Sequence, residues 1–210
     1  MKNSFYLFCR FLLFLKLKVL FFFKVKGRGF VPKRGGCIIA SNHLSYLDPI
    51  VLAVASPRIL SFMAKKELFS QHGNFFKWLI TALNAFPLER GTADLKAIRF
   101  AINKLKNGHC LIVFPEGTRS KSGEVKDPQS GVSMLAAKAN VPVIPAFITG
   151  SDKALPAESK KIAFFTPMSV RFGPALTFKP DPSRNDIKAD YQIFSNQIIE
   201  QIRLLEDFEK

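Results

Sequence analysis

The fold is decided by the stretch CIIASNHLSYLDPIVLAVA, residues 37–55. Its first five residues form an apolar run of strand length, and its last eight form an apolar segment that suits a helix. Asp48 can cap this helix, and Pro49 is favoured at a first helical position. The polar residues between the two segments indicate a loop. The stretch therefore predicts a buried strand, a loop and a helix, which is the repeating unit of an α/β domain.

The same alternation continues along the chain of 210 residues. Apolar runs predict further strands over 60–66, 85–90, 109–114 and 141–150, and one or two within 161–176. Helical spacing predicts helices over 74–84, 92–108, 130–140 and within 185–208. Pro145 favours an edge or irregular position for its strand. We therefore expect a single α/β domain with a mixed, largely parallel central sheet flanked by helices, and chemistry in the loops that follow the strands.

The charge of the chain is concentrated at its N-terminus. The net charge is +15, and residues 1–36 contain nine Lys or Arg, eight Phe and no Asp or Glu. A basic and strongly apolar segment is typical of contact with an anionic membrane surface. A nucleic-acid-binding surface would more often place its basic residues among polar ones. We therefore expect a membrane partner and no nucleic acid.

Residues 5–23 have the length of a membrane span, but three cations interrupt them. Four basic side chains of the region fall within an arc of about 120° on a helix, opposite a Phe and Leu face: Lys2, Arg10, Lys16 and Lys24. This pattern favours a helix that lies in the membrane interface, or is half inserted, over a helix that spans the bilayer. The alternative is a core helix packed on the rest of the domain. We expect an anchor over 1–26, a functional domain over 27–210, and a monotopic or peripheral protein on the cytoplasmic face.

The segment NHLSYLD, residues 42–48, contains a candidate general base. A histidine in this role needs an acceptor that fixes its tautomer and stabilises its protonated form. Asp48 follows His43 by five residues, a spacing that separates two side chains on one regular helix. A turn between strand and helix can bring them together, with Asp48 at the start of the helix. A loop histidine beside an ordinary helix cap fits these residues equally well.

A second polar loop, FPEGTRS at residues 114–120, follows a predicted strand. Gly117 allows a tight turn. Thr118 and Arg119 supply a hydroxyl and a guanidinium, which are suitable donors for a phosphate. The charge of Glu116 repels phosphate, so its expected roles are to orient Arg119, to bond a substrate hydroxyl or to hold the loop backbone. Taken alone, the segment is as typical of an ordinary polar turn as of a phosphate-binding loop.

Four segments in this order carry a resemblance to a known family: NHLSYLD, AFPLERG (85–91), FPEGTRS and VPVIPAF (141–147). The chain resembles the glycerophospholipid acyltransferases, and most closely the 1-acylglycerol-3-phosphate acyltransferases. Their pattern is NHxxxxD, an apolar segment ending in Arg, FPEGTRS, and a Val/Ile-Pro segment. Phe86 and Arg90 match this pattern, whereas Asn84 stands where the family often has Gly. The resemblance covers roughly residues 25–180.

The resemblance implies transfer of a fatty acyl group from acyl-CoA or acyl-carrier protein to a lysophospholipid hydroxyl. The expected acceptor is the sn-2 position of 1-acylglycerol-3-phosphate, which gives phosphatidic acid; another headgroup or an aminolipid is the alternative. His43 would be the general base and Asp48 its partner. Five residues would shape acceptor binding: Arg90, Glu116, Gly117, Thr118 and Arg119. No cofactor and no metal are expected, because a thioester is already activated.

Three other classes of protein fit single features of the sequence. Ser41 and Ser45 flank His43, as in a serine hydrolase, but the GxSxG elbow is missing. A metal site of His43, Asp48 and Glu116 would lack a further His or Cys cluster. A non-catalytic lipid-binding membrane protein would account for the charge but not for the two polar loops.

Overall fold

The computed structural model of the protein describes residues 2–69, 73, 81, 84–88, 95–120, 127–156, 159 and 161–207. Within these ranges the helices are α1 (Lys2–Phe21), α2 (Asp48–Ala55), α3 (Leu95–Lys106), α4 (Gly131–Ala139), α5 (Ser151–Ala154) and α6 (Ile187–Asp207). The strands are β1 (Lys24–Lys26), β2 (Cys37–Ser41), β3 (Leu60–Lys65), β4 (Ala85–Leu88), β5 (Cys110–Val113), β6 (Val143–Thr149) and β7 (Ser169–Phe172). Most of the predicted helix 74–84 lies outside the described residues.

The seven strands form one sheet in the order β1-β7-β6-β2-β5-β3-β4. All neighbouring pairs are parallel except β6 and β7, which are antiparallel. This arrangement confirms the predicted α/β fold with a mixed, largely parallel sheet. The strands β2 and β5 are central neighbours, so the loops that follow them leave the same edge of the sheet side by side.

Alternating side chains of the central strands enter two separate hydrophobic layers. In β2, Cys37 and Ile39 pack into a cluster with α1 and α2, whereas Ile38 and Ala40 pack into a cluster with α3, α4 and α6. All five residues of β2 are buried, as expected for a strand covered on both faces. The two layers hold the carboxyl edge of the sheet in place.

Of the two positions predicted for Pro145, the edge is wrong, because β6 lies in the interior of the sheet between β7 and β2, whereas the irregular position agrees with the interrupted pairing of β6 and β7 at this residue. The ladder between β6 and β7 starts one residue later, where Ala146 pairs with Phe172. The carbonyl of Pro145 accepts a hydrogen bond from Gly173 N at 2.8 Å, just beyond that ladder. The missing N–H of Pro145 therefore falls at the end of a ladder, where an interior strand tolerates it.

The helix α1 packs on the sheet layer that contains α2. Its buried residues include Leu17 and Phe21, whereas Phe8, Phe11 and Val19 are exposed. Arg10, on the side predicted to be a basic stripe, donates to the carbonyls of Ser56 and Arg58 at 3.2 and 3.4 Å. Arg10 therefore faces the protein and the Phe and Leu side faces outward, whereas Lys16 and Lys24 of the same stripe are exposed.

No helix in the described part of the chain combines the length and apolarity needed to cross a membrane. The strand β1, at residues 24–26, pairs in parallel with β7 and so belongs to the sheet. Membrane contact by α1 and the division of the chain after residue 26 stay predictions.

Candidate active site

The loop after β2 is anchored to the sheet by Asn42. This side chain is fully buried, and its Nδ2 donates to the Ile148 carbonyl at 2.9 Å while its Oδ1 accepts from Ile148 N at 2.8 Å. Asn42 thereby continues the pairing of β2 with β6 beyond the last strand residue. This role of Asn42 was not predicted, although a polar residue directly after a fully buried strand was a usable signal. Its two bonds set the position of the next residue, His43.

His43 and Asp48 meet across the turn between β2 and α2. Nδ1 of His43 lies 2.8 Å from Oδ2 of Asp48, and the exposed fractions of their side chains are 13% and 0%. The same carboxylate oxygen accepts from the backbone N–H groups of Leu44 and Ser45 at 2.6 and 2.8 Å. These two bonds fold the loop around the carboxylate and aim it at the imidazole. Nδ1 therefore donates to Asp48, and Nε2 is left as the acceptor.

The prediction that Asp48 caps α2 is wrong. The helix begins at Asp48 itself, Leu47 occupies the cap position, and no side chain makes a capping bond there. The carboxylate points back to the loop instead of forward to the first helical turn, because Oδ2 already accepts three N–H groups. Its other oxygen, Oδ1, is buried and has no hydrogen-bond partner among the described residues.

The loop after β5 packs directly against His43. The Phe114 ring stacks on the imidazole, with 3.9 Å between ring centroids and 13° between planes. Oε1 of Glu116 accepts from the backbone N–H of His43 at 2.9 Å, and Ser120 N donates to the His43 carbonyl at 2.7 Å. Of the three roles expected for Glu116, the structure shows that of holding loop backbone. The stacking of Phe114 was not anticipated, since a sequence does not reveal which rings face each other.

Gly117 makes the turn of this loop possible. Its φ is 71°, in the left-handed region, and its N–H donates to the Phe114 carbonyl at 3.0 Å. A Cβ at this position would come within 2.8 Å of the Gln129 side chain. Glycine is therefore favoured by the backbone conformation, and a larger residue would also displace the end of the Gln129 side chain.

The phosphate donors predicted in this loop lie at the rim of the site. Thr118 is exposed, and the Arg119 guanidinium lies 3.6 Å from the centroid of the Tyr46 ring. Tyr46 belongs to the loop after β2, so this cation–π contact joins the two loops a second time. The structure thus brings together six of the seven predicted site residues or their loops. Arg90, the seventh, lies outside the described residues, two positions after β4 ends.

The serine residues beside His43 have structural partners. Ser45 Oγ donates to the Leu155 carbonyl at 2.7 Å and accepts from Leu47 N at 3.2 Å. Ser41 Oγ donates to Oδ1 of Asn42 at 3.1 Å. A serine nucleophile would have to leave these bonds, so the geometry does not favour a serine hydrolase. Within the described ranges, no group of three or more His, Cys, Asp or Glu is placed to hold a metal ion.

The carboxyl edge of this α/β sheet thus carries a hydrogen-bonded His–Asp pair beside a loop that bears an arginine. The Acyltransferase family model matches residues 22–149, a range that contains both loops. The chain therefore belongs to the Acyltransferase family.

Proteins similar to this chain include several with a stated acceptor. A 1-acyl-sn-glycerol-3-phosphate acyltransferase of Bacillus subtilis is 30% identical over 183 residues, which cover 84% of this chain and 86% of the relative. The protein of that name from Streptococcus pneumoniae is 36% identical over 115 residues, which cover 54% of this chain. The chain is also similar to the crystal structure of the 1-acyl-sn-glycerophosphate (LPA) acyltransferase PlsC from Thermotoga maritima. The match covers 95% of this chain and 86% of the Thermotoga maritima chain, with a TM-score of 0.65 and 27% identity.

The chain spans less than half the length of two of the relatives that it matches. The aligned region covers 41% of the Streptococcus pneumoniae protein, and 36% of a chloroplastic 1-acyl-sn-glycerol-3-phosphate acyltransferase of Brassica napus. The family and the fold follow from the comparisons.

Proposed function

We propose that the protein transfers a fatty acyl group from a thioester to the sn-2 hydroxyl of 1-acylglycerol-3-phosphate, giving phosphatidic acid. The observation that carries this proposal is the joining of the two polar loops: His43 contacts Asp48 through its ring and Glu116 through its backbone. A general base thus sits beside a loop that bears a phosphate-binding guanidinium. The relatives from Bacillus subtilis and Streptococcus pneumoniae are named for this reaction.

In the proposed reaction, Nε2 of His43 takes the proton of the acceptor hydroxyl as its oxygen attacks the thioester carbonyl. The imidazolium that forms is stabilised by the Asp48 carboxylate at 2.8 Å. The tetrahedral intermediate then expels the thiolate, which takes the proton from His43. One ester bond forms and one thioester bond breaks. Because His43 has given up the proton again, the enzyme is back in its starting state, and no covalent enzyme intermediate forms. The donor is acyl-CoA or acyl-carrier protein, and both supply the same thioester.

The phosphate of the acceptor is proposed to bind at the loop of residues 114–120. Arg119 is the one Lys or Arg within residues 42–48 and 114–120, and the exposed Thr118 can add a hydroxyl bond. Arg90 is proposed as a second cation, from its match to the family pattern. Glu116 is turned toward the His43 backbone, which keeps one of its oxygens bound away from a phosphate.

The protein is proposed to work on a membrane, at the cytoplasmic face. The outward side of α1 carries exposed Phe8, Phe11, Leu15 and Val19. The cytoplasmic leaflet is the more anionic one, which suits a chain of net charge +15. An interfacial position would bring the site to a lysophospholipid without extracting the lipid into water.

An acyl-transfer assay tests the proposal. Purified protein receives 1-acylglycerol-3-phosphate with acyl-CoA or with acyl-carrier protein, and phosphatidic acid is measured. We expect transfer with at least one donor, loss of transfer in His43→Ala, and normal transfer in the matched variant His109→Ala, whose histidine precedes β5. Full activity in His43→Ala would refute the mechanism.

Parallel acceptors separate the alternatives. Lysophospholipids with choline, ethanolamine or glycerol headgroups and an aminolipid are assayed under the same conditions. Preferred transfer to one of these would overturn the phosphate acceptor but keep the chemistry. Binding of lysolipids without transfer to any of them would support the non-catalytic lipid-binding alternative instead.

A further inference from the structure

An aromatic loop lies beside the C-terminal end of α1. Phe164 and Phe165 are 54% and 64% exposed, although they are among the largest apolar side chains of the chain. The Phe165 ring lies 6.5 Å from that of Phe22, which is 53% exposed, and the Phe164 ring lies 5.9 Å from that of Phe21. Two segments distant in sequence thus place their aromatic rings on one surface.

Backbone hydrogen bonds hold this loop to the helix end. Phe165 N donates to the Leu20 carbonyl at 2.7 Å, and Met168 N donates to the Phe21 carbonyl at 2.9 Å. Phe22 and Phe165 both have positive φ, 47° and 62°. This conformation usually belongs to glycine and is strained for other residues. Bulky aromatic side chains at two such positions, both exposed, indicate a role other than packing within the chain.

The aromatic loop extends the outward face of α1. At about 100° per residue, the exposed apolar residues of α1 and Phe22 fall within an arc of about 140°. Lys16 lies just outside one border of this arc and Lys18 near the other; both are exposed, as is Lys161 at the start of the loop. Residues 1–47 contain no Asp or Glu. An apolar face bordered by lysines is complementary to an anionic bilayer, where the lysine stems lie along the acyl region and the ammonium groups reach the phosphates.

We propose that Ile162, Phe164 and Phe165 form a second membrane contact, which inserts with Phe22 and the outward face of α1 into an anionic phospholipid bilayer. This surface is separate from the catalytic loops, and its binding does not depend on the proposed reaction. Two contacts that meet at an angle define the tilt of the protein on the membrane better than one helix does.

The aromatic loop is also connected to the candidate active site. Ala163 N donates to the Ala154 carbonyl at 2.8 Å, and the next carbonyl, of Leu155, accepts from Ser45 Oγ in the loop of His43. Two hydrogen bonds at adjacent carbonyls therefore connect the aromatic loop to the loop of His43.

Vesicle binding without any acyl donor or acceptor tests this proposal. The full chain is sedimented with vesicles of phosphatidylcholine, with or without phosphatidylglycerol. The test variant combines Phe164→Ser with Phe165→Ser. The matched control combines Ile193→Ser with Leu204→Ser, two residues of α6 that are also exposed but lie on the other side of the sheet. Thermal unfolding shows that each variant is folded.

We expect the test variant to bind phosphatidylglycerol vesicles at least about tenfold more weakly than the parent chain, since two half-exposed Phe lose their transfer from water. The control should bind within about twofold of the parent. Equal binding by the test variant and the parent chain would overturn the proposal, as would an equal loss in the control.

A fluorescent probe distinguishes a bilayer from a protein partner. The chain has one tryptophan, so Phe165→Trp combined with Trp78→Phe places the single indole in the aromatic loop. We expect its emission to shift to the blue on addition of anionic vesicles and to be quenched by lipids brominated near the headgroup. A shift that follows protein concentration without vesicles would identify a second copy of the chain as the occupant and overturn the membrane proposal.

Discussion

Replacing Asp48 by asparagine removes one negative charge from the candidate site and keeps the shape of the side chain. Oδ2 of Asp48 contacts Nδ1 of His43 at 2.8 Å and is fully shielded from solvent. If an amide oxygen takes the place of Oδ2, it still accepts the N–H groups of Leu44 and Ser45 but carries no charge. The amide NH2 group would then occupy the buried place of Oδ1, which has no hydrogen-bond partner in the part of the chain that the structure describes.

The size of the effect follows from the charge pair. During catalysis His43 becomes an imidazolium, and two unit charges about 4 Å apart interact by about 4 kcal/mol at an effective dielectric constant of about 20. Loss of this interaction lowers kcat by about 10³-fold. The buried, unpaired amide group lowers the free energy of unfolding by about 1–3 kcal/mol. We therefore expect a folded but nearly inactive Asp48→Asn protein.

Steady-state kinetics and thermal unfolding measure the two effects separately. The matched control is Asp190→Asn on α6, because Asp190 is 6% exposed and also accepts a backbone N–H, from Asp181 at 3.2 Å. The control should lose stability to a similar degree and keep kcat. A folded Asp48→Asn protein with a kcat within about tenfold of the parent would refute the assigned pairing of Asp48 and His43 in catalysis.

Three further predictions address the loops and the pH dependence. Gly117→Ala should lower the free energy of unfolding by about 1–3 kcal/mol in chemical denaturation, because the φ of Gly117 is positive and an added Cβ would meet a side chain. The control is Gly131→Ala, which should cost no stability because no described atom lies within 4 Å of an added Cβ there. Tyr46→Ala should raise KM for the phosphate acceptor by about 2–30-fold by releasing Arg119, with kcat less affected, whereas Tyr46→Phe should keep the parental KM. Burial and two nearby cations hold the pKa of His109 below its ordinary 6.5, so the unfolded chain binds the proton more readily and stability falls as the pH drops below 6.5. His109→Gln should therefore make the melting temperature less dependent on pH in that range. An unchanged slope of melting temperature against pH would contradict this assignment.

The sequence predicted the sheet well where single strands are buried on both sides. The runs CIIAS and CLIV are apolar at every position or nearly so, and both form fully buried parallel strands. The order of the strands could not be predicted, because it depends on which layers pack together. Pro145 shows the consequence: it was expected at an edge or an irregular position, and its strand lies between two others, with the missing N–H where one ladder ends.

The N-terminal helix was predicted as a helix, but its orientation was not. Periodicity located a basic side and a Phe and Leu side on α1. It did not show that Arg10 would donate to carbonyls just beyond the end of α2, and so turn its part of the basic side toward the protein. The orientation depends on partners that are 46 and 48 residues away in the chain.

What the sequence by itself determined is the inventory of the site: the candidate base and its carboxylate, the glycine turn, the loop arginine and the family they indicate. These follow from residue types at short spacing. Only the tertiary structure decided how the parts meet. His43 and Glu116 are 73 residues apart, and they bond because β2 and β5 are neighbours in the sheet. The Asn42 anchor and the Phe114 stack exist for the same reason, since the contacts between loops depend on the strands that carry them.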